Sequence, residues 1–214
     1  TRKIKGFIIF ALSTEKKHMK LKCLFLLLLL GISFCVHAQK RPVILEKQLE
    51  IIRKEPDNGD ALKFLCQYYL NKGDYSKTIT YAEIMKNVAD KTKNPLLQLY
   101  SYIYQAQAQM MSGREKIAKK NLNLSLELAT KLNNDSTLCS VYGSLGLYSA
   151  NIETDYYRAI RWLYKGIQLA QQNNFQQQYA LLLGNLANIY YLKKDTAGIK
   201  YALECYELGH SMRN

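Results

Sequence analysis

ALKFLCQYYLNKGDYSKTITYAEIM, residues 61 to 85, holds the pattern that decides the fold. Leu62, Leu65, Cys66 and Tyr69 recur at the spacing of one helix face, Lys72-Gly73-Asp74-Tyr75 interrupts them, and a second amphipathic stretch follows. The same order returns in YIYQAQAQMMSGREKIAKKNLNLSLELA from Tyr102, with Ser112-Gly113-Arg114-Glu115 at the interruption, so that Gly73 and Gly113 lie forty residues apart. A third unit, VYGSLGLYSANIETDYYRAIRWLYKGIQLA from Val141, turns at Thr154-Asp155-Tyr156 and carries one extra residue before its turn. A fourth, LLLGNLANIYYLKKDTAGIKYALECYEL, turns at Lys194-Asp195-Thr196. A period of about forty residues, present four times, marks a repeat architecture.

Each half-unit reads as a helix. Leu145, Leu147, Tyr148 and Ala150 share a face, as do Leu183, Leu186, Ala187 and Tyr190, and no useful run alternates with period two, which excludes strands. Asp60, Pro95, Asp135-Ser136, Asp155 and Asp195 mark helix starts, because such residues accept an orphan amide or pre-set the first turn. Loops are expected at 91–94, 133–134 and 171–174. An additional helix from Val43 to Lys54 precedes the first unit and ends before Pro56, within an N-terminal section of residues 39–57. The four units occupy 58–214. One helical hairpin cannot bury its apolar face alone, so the copies must stack.

These positions resemble the tetratricopeptide repeat. The resemblance rests on Leu65, Cys66, Tyr69, Gly73, Asp74, Tyr75 and Ile79 in the first unit, on Leu145-Gly146, Asp155, Tyr156, Ala159 and Ile160 in the third, and on Leu186-Ala187 and Tyr190 in the fourth. It spans about residues 59 to 210 and departs from the family in having a period near forty in place of thirty-four. The longer units are similar to the extended repeats of bacterial regulators and motor light chains. The resemblance implies an all-α fold, an α-solenoid wound as a right-handed superhelix of helix-turn-helix hairpins. Gly146, Ala187 and Ala106 are then the small residues that let paired helices approach, and Tyr69, Tyr148 and Tyr190 fill between layers.

The first helices of stacked hairpins line a concave wall wide enough for a peptide. The resemblance implies wall residues Lys63, Gln67 and Asn71, then Tyr100, Ile103, Gln107 and Met110, then Gly143 and Leu147, then Asn188 and Tyr191. The family's clamp for a C-terminal carboxylate needs Asn, Lys and Arg on later helices. Lys63 and Gln67 match it loosely, but Tyr104, Ser140 and Ser144 stand at the later positions, which disfavours chaperone-tail binding.

Residues 1–38 differ in kind. Lys20 and Lys22 precede an apolar run from Cys23 to Val36 and then Val36-His37-Ala38, the layout of a secretory signal peptide over 19–38 with cleavage after Ala38. An uncleaved anchor is the rival, although the run is shorter than the roughly 20 residues of a spanning helix. A lipoprotein signal at Cys35 is a third route, opposed by the bulky Phe34 before it. Residues 1–18 read as upstream sequence translated from a misplaced start. The 214-residue chain has a net charge of +13, and removing 1–38 leaves 23 − 16 = +7, scattered in a way that does not demand nucleic acid. Cys66, Cys139 and Cys205 then remain, an odd number at helix-like positions, which reads as packing in place of a disulfide framework.

Catalysis has little to stand on. The part after residue 38 contains one His, His210, and lacks GxxxxGK, GxSxG, HExxH and CxxC, so neither a nucleophile and base nor a metal set assembles, and no cofactor is expected. Two functions stay open. One is an exported periplasmic or cell-envelope scaffold that binds a protein or peptide in its groove, touching the membrane only through an uncleaved signal. The other is the sensory portion, cut short, of a membrane-anchored transcriptional regulator. The last helix leaves Tyr201, Leu203, Tyr206 and Leu208 to be covered, by further sequence or by a homodimer.

Overall fold

The computed structural model describes residues 41 to 212, with side chains from Val43 onward. The proposed signal at 19–38 and the segment 1–18 lie outside the described residues. Among them the fold is all-α, as expected, with no strand. Helix α1 is Arg41–Lys54, two residues earlier at its start than the sequence suggested. Then follow α2 (Gly59–Asn71), α3 (Tyr75–Thr92), α4 (Pro95–Met111), α5 (Glu115–Lys131), α6 (Asp135–Asn151), α7 (Tyr156–Gln172), α8 (Gln176–Leu192) and α9 (Gly198–Ser211). Each helix packs against the next in sequence, an arrangement consistent with an all-α repeat fold. The even-numbered helices α2, α4, α6 and α8 also touch one another in succession, whereas the odd-numbered helices touch only their sequence neighbours.

The turns set the period. Seven described residues have positive φ, at Gly73, Lys93, Gly113, Asn133, Thr154, Asn174 and Lys194, one in each connection from α2 onward. Their spacing is 20, 20, 20, 21, 20 and 20 residues. In each connection the chain leaves the helix through a left-handed residue, and the next amide reaches back to a carbonyl five residues earlier, as Asp74 N–H does to Tyr69 at 2.9 Å and Arg114 N–H to Gln109 at 2.8 Å. At the 21-residue interval the equivalent amide, Asp155 N–H, bonds Ser149 O six residues back at 2.8 Å, which is where the extra residue of the third unit is absorbed. Gly73 and Gly113 take φ of 73° and 74°, a conformation that costs glycine nothing.

Helix starts are capped by neighbours of some expected residues. Asn58 and Asn134, in place of Asp60 and Asp135, accept the amides of Ala61 and Thr137 at 3.0 Å. Asp60 and Asp135 sit in the first turn, where their charge suits the helix dipole. Asp155 caps α7 as read, and Asn94 caps α4 with Pro95 at its first position. Asp195 accepts the Ala197 amide ahead of α9, which begins only at Gly198.

Aligning the even helices on their last residues (Asn71, Met111, Asn151, Leu192) puts Leu65, Gln105, Leu145 and Leu186 in one core register. The three leucines are buried, at 3% exposure or less, and Gln105 is buried with them at 8%. The partner register is Tyr81, Asn121, Trp162 and Tyr201. Tyr69 stacks on Tyr81 and Tyr190 on Tyr201, both with ring centres 5.5 Å apart. In the second hairpin amides replace the rings: Asn121 Nδ2 donates to Gln109 Oε1 at 2.9 Å and to Gln105 Oε1 at 3.2 Å. The Gln105 Nε2 is buried without a partner. The second hairpin therefore carries a polar seam where its neighbours carry leucine and aromatic packing.

Small residues fix the closest approaches. A Cβ on Gly146 would stand 2.9 Å from the Leu163 side chain, and one on Gly198 would stand 2.7 Å from Tyr190 Cβ and 3.1 Å from Ala187 O. Between hairpins, Glu153 is a polar clasp: it bonds Lys119 at 2.6 Å, Arg158 at 3.1 Å and Ser149 at 3.1 Å. The hydrogen bond from Lys119 is the main reason its carboxyl is held below the usual carboxylate range. Burial pushes the Cys66 thiol up to about 12 and that of Cys139 up to about 11, consistent with inert packing residues.

Three outcomes follow from this packing. Gln105→Leu should raise the unfolding free energy by about 1–3 kcal/mol, read by urea denaturation, because it removes an orphaned amide and restores the leucine register. Gly198→Ala should lower it by about 1–3 kcal/mol, since Tyr190 Cβ and the Ala187 backbone cannot swing away, whereas Gly209→Ala, with nothing within 4 Å of the new methyl, should gain up to about 1 kcal/mol from helix propensity. Glu153 has a folded-state pKa below its unfolded value. Its contribution is therefore complete above the ordinary carboxylate pKa and lost as pH falls through the lowered one. Denaturation midpoints across the acid range should show Glu153→Gln less stable at neutral pH and flatter on the acid side; parallel curves would refute the clasp.

Candidate functional site

The even-numbered helices form one continuous wall, and hydrogen bonds between them fix its register. Tyr104 O–H donates to Gln67 Oε1 at 3.4 Å across α2 and α4, Gln107 Nε2 donates to Ser144 Oγ at 2.9 Å across α4 and α6, and Gln178 Nε2 donates to Ser136 Oγ at 2.7 Å across α6 and α8. In the alignment of helix ends, Gln67, Gln107, Leu147 and Asn188 occupy one register, a row across the wall. Gln67 is exposed and the other three are half-buried.

The remaining expected wall residues divide. Lys63 places its ammonium 4.4 Å from the centre of the Tyr100 ring, so these two half-buried side chains close one end of the wall. Asn71 is exposed at the end of α2 and accepts from Gln67 Nε2 at 2.9 Å. Tyr191 is half-buried near the end of α8. Ile103 and Met110 are corrected: they are 4% and 7% exposed and belong to the core with Leu99, Ala106, Leu122 and Val141. Gly143 is likewise buried, and a Cβ there would stand 3.3 Å from Leu182. The residue that ends α4 on the exposed side is Met111, one position on. The sequence reading also passed over Leu181, which is 64% exposed on α8 in register with Tyr100 and Ser140.

The wall is almost free of charge. Helices α2, α4, α6 and α8 comprise 64 residues and carry only Asp60, Lys63 and Asp135 as charged groups, whereas the 66 residues of α3, α5, α7 and α9 carry seventeen. That split was available in the sequence, but only the helix boundaries assign each charge to one set. Where α2 and α4 begin, an open pocket of about 460 Å³ is lined by residues including Asp60, Lys63, Thr92, Asn94, Leu96 and Tyr100. Its donors are an ammonium already seated on a ring and amides already capped, as by Asn58 and Asn94. No group of three or more His, Cys, Asp or Glu that could hold a metal ion occurs among the described residues. No helix among them is long and apolar enough to cross a membrane.

No family model matches the chain, and no curated protein sequence matches it. The wall presents hydrogen-bonding amides and hydroxyls around the half-buried Tyr100, Leu147 and Tyr191 and the exposed Leu181.

Proposed function

We propose that the chain is an exported α-solenoid of the tetratricopeptide type, a right-handed superhelix, whose even-numbered helices line the concave side and hold an uncharged segment of a protein or peptide partner. The observation that carries this reading is the continuous, nearly charge-free wall of α2, α4, α6 and α8. Contacts between successive even helices, with none between successive odd helices, support curvature toward the even side. On such a wall a partner's charges would lose water without gaining a counter-charge, so an acidic tail is selected against. Amides at Gln67, Gln107 and Asn188 suit backbone and amide groups, while Leu147 and Leu181 suit aliphatic side chains. Export rests on residues 19–38, and scaffolding in place of catalysis rests on the absence of a catalytic motif in the sequence.

A second reading, the sensory portion of a longer membrane-anchored regulator, draws support from one observation. Helix α9 packs on α8 alone, and Gly209, in register with the buried Ala89, Ala129 and Ala170, has nothing within 4 Å of a would-be Cβ. A further helix of a longer chain, or a second copy in a homodimer, would cover it.

Selection of random displayed peptides tests the first reading. The enriched peptides should be uncharged across their contact residues, and their affinity should hold between low and high salt. Gln107→Glu and Leu181→Glu should each weaken binding by about tenfold or more. Enrichment of charged tails, or binding indifferent to both substitutions, would overturn it.

A further inference from the structure

The chain reverses at two opposite edges of the array, and these edges differ. Connections from α1 to α9 are two to five residues long and join helices that touch, so successive helices run in opposite directions. The starts of odd helices and the ends of even helices therefore share one edge, which the side chains tie together. Tyr148 O–H on α6 donates to Glu115 O at the start of α5, and Lys193 beyond α8 sits 5.1 Å from the Tyr157 ring at the start of α7.

Six of the ten large apolar side chains that stand exposed among the described residues lie in helical turns at this edge: Val43, Ile44, Met111, Ile117, Tyr157 and Leu192. Val43 and Tyr157 are 75% and 77% exposed. Only Leu96 and Met212 lie at the opposite edge. Charge divides the same way. Segments 43–48, 71–78, 111–118, 151–158 and 192–200 hold nine Lys and Arg against six Asp and Glu, while 53–61, 90–97, 130–137, 171–178 and 207–212 hold five against six. Several acids of the first edge are occupied, Asp74 by Lys77, Asp155 by Arg158, and Glu153 by Lys119 and Arg158, which leaves a basic surplus.

We infer that this edge is a docking surface for an anionic lipid bilayer. Exposed Met, Ile and Leu side chains gain by entering the acyl boundary, a Tyr ring suits the interface, and lysines between them meet lipid phosphates. Lys193, held between the rings of Tyr157 and Tyr190 at 5.1 and 5.5 Å, combines these contacts at one point. A nucleic acid would leave Met111 and Ile117 without apolar contacts. The wall of even helices then stands away from the lipid and open to a partner. The inference is independent of what that wall binds.

Hydrogen exchange of the full chain, with and without vesicles, tests it. Vesicles of phosphatidylglycerol and phosphatidylethanolamine should protect amides of 111–117, 151–158 and 192–199 and leave 54–60, 92–96 and 171–177 unchanged. The protection should fade in high salt and be absent with phosphatidylcholine vesicles, which separates the edge from any insertion of the apolar run. Ile117→Ser with Tyr157→Ser, both at exposed positions, should cut the anionic-over-neutral binding ratio about tenfold, with helicity unchanged by circular dichroism. Leu96→Ser and Leu181→Ser should leave it intact and serve as controls. Protection at neither edge, at both edges alike, or alike on neutral lipid would overturn the inference, as would unaltered binding by the double variant.

Discussion

A left-handed residue at the end of each helix from α2 to α8, and the amide that bonds backward across it, set the geometry on which the rest of the molecule depends. The backward bond spans five residues at Asp74, Asn94, Arg114, Asn134, Phe175 and Asp195. It satisfies a carbonyl of the final helical turn while aiming the chain back along the helix it has just left. With a half-unit of twenty residues on either side, equivalent positions fall opposite each other down the array, so that Gln67, Gln107, Leu147 and Asn188 form a row. Five of the seven left-handed residues are not glycine. Lys93, Thr154 and Lys194 gain no side-chain cap from that conformation, so packing on both sides must hold them there.

Much of this was legible beforehand because turns and apolar spacing are local signals. Gly73 and Gly113 announce their turns, and the additional residue of the third unit is visible as the offset of Thr154. Capping is less legible: Asn58 beside Asp60 and Asn134 beside Asp135 are chemically equivalent candidates, and only backbone direction chooses between them. In α4 Tyr100 and Gln107 fall on the wall as expected, whereas Ile103 and Met110 turn into the core. Met110 and Met111 are both apolar at a helix end, and drift of the 3.6-residue period over seventeen residues exceeds what composition can resolve. Gln105 and Asn121 escaped altogether, since a reading based on apolar recurrence is blind to a polar side chain in a core register. The apolar residues of the turn edge escaped for the opposite reason, because Ile117 and Tyr157 belong to no periodic face.

The two helix sets divide the demands on the surface. Odd helices carry seventeen of the charged groups and present them on the outer surface of the hairpins. Even helices are thereby free to be neutral and to lie close enough for direct contacts between hairpins. The polar seam of the second hairpin tempers this order: Asn121 holds Gln109 and Gln105 together, but its bonds replace the stacked rings found in the first and fourth hairpins.

Among the described residues every helix meets only close neighbours in sequence, and side-chain hydrogen bonds between hairpins join positions about forty apart, as Ser136 and Gln178 are at 42. Low contact order of this kind makes chain closure inexpensive in entropy, so assembly can start in any hairpin and spread outward one helix at a time. Such a chain can begin folding while its C-terminal half is still being synthesised, each finished hairpin offering a template surface for the next.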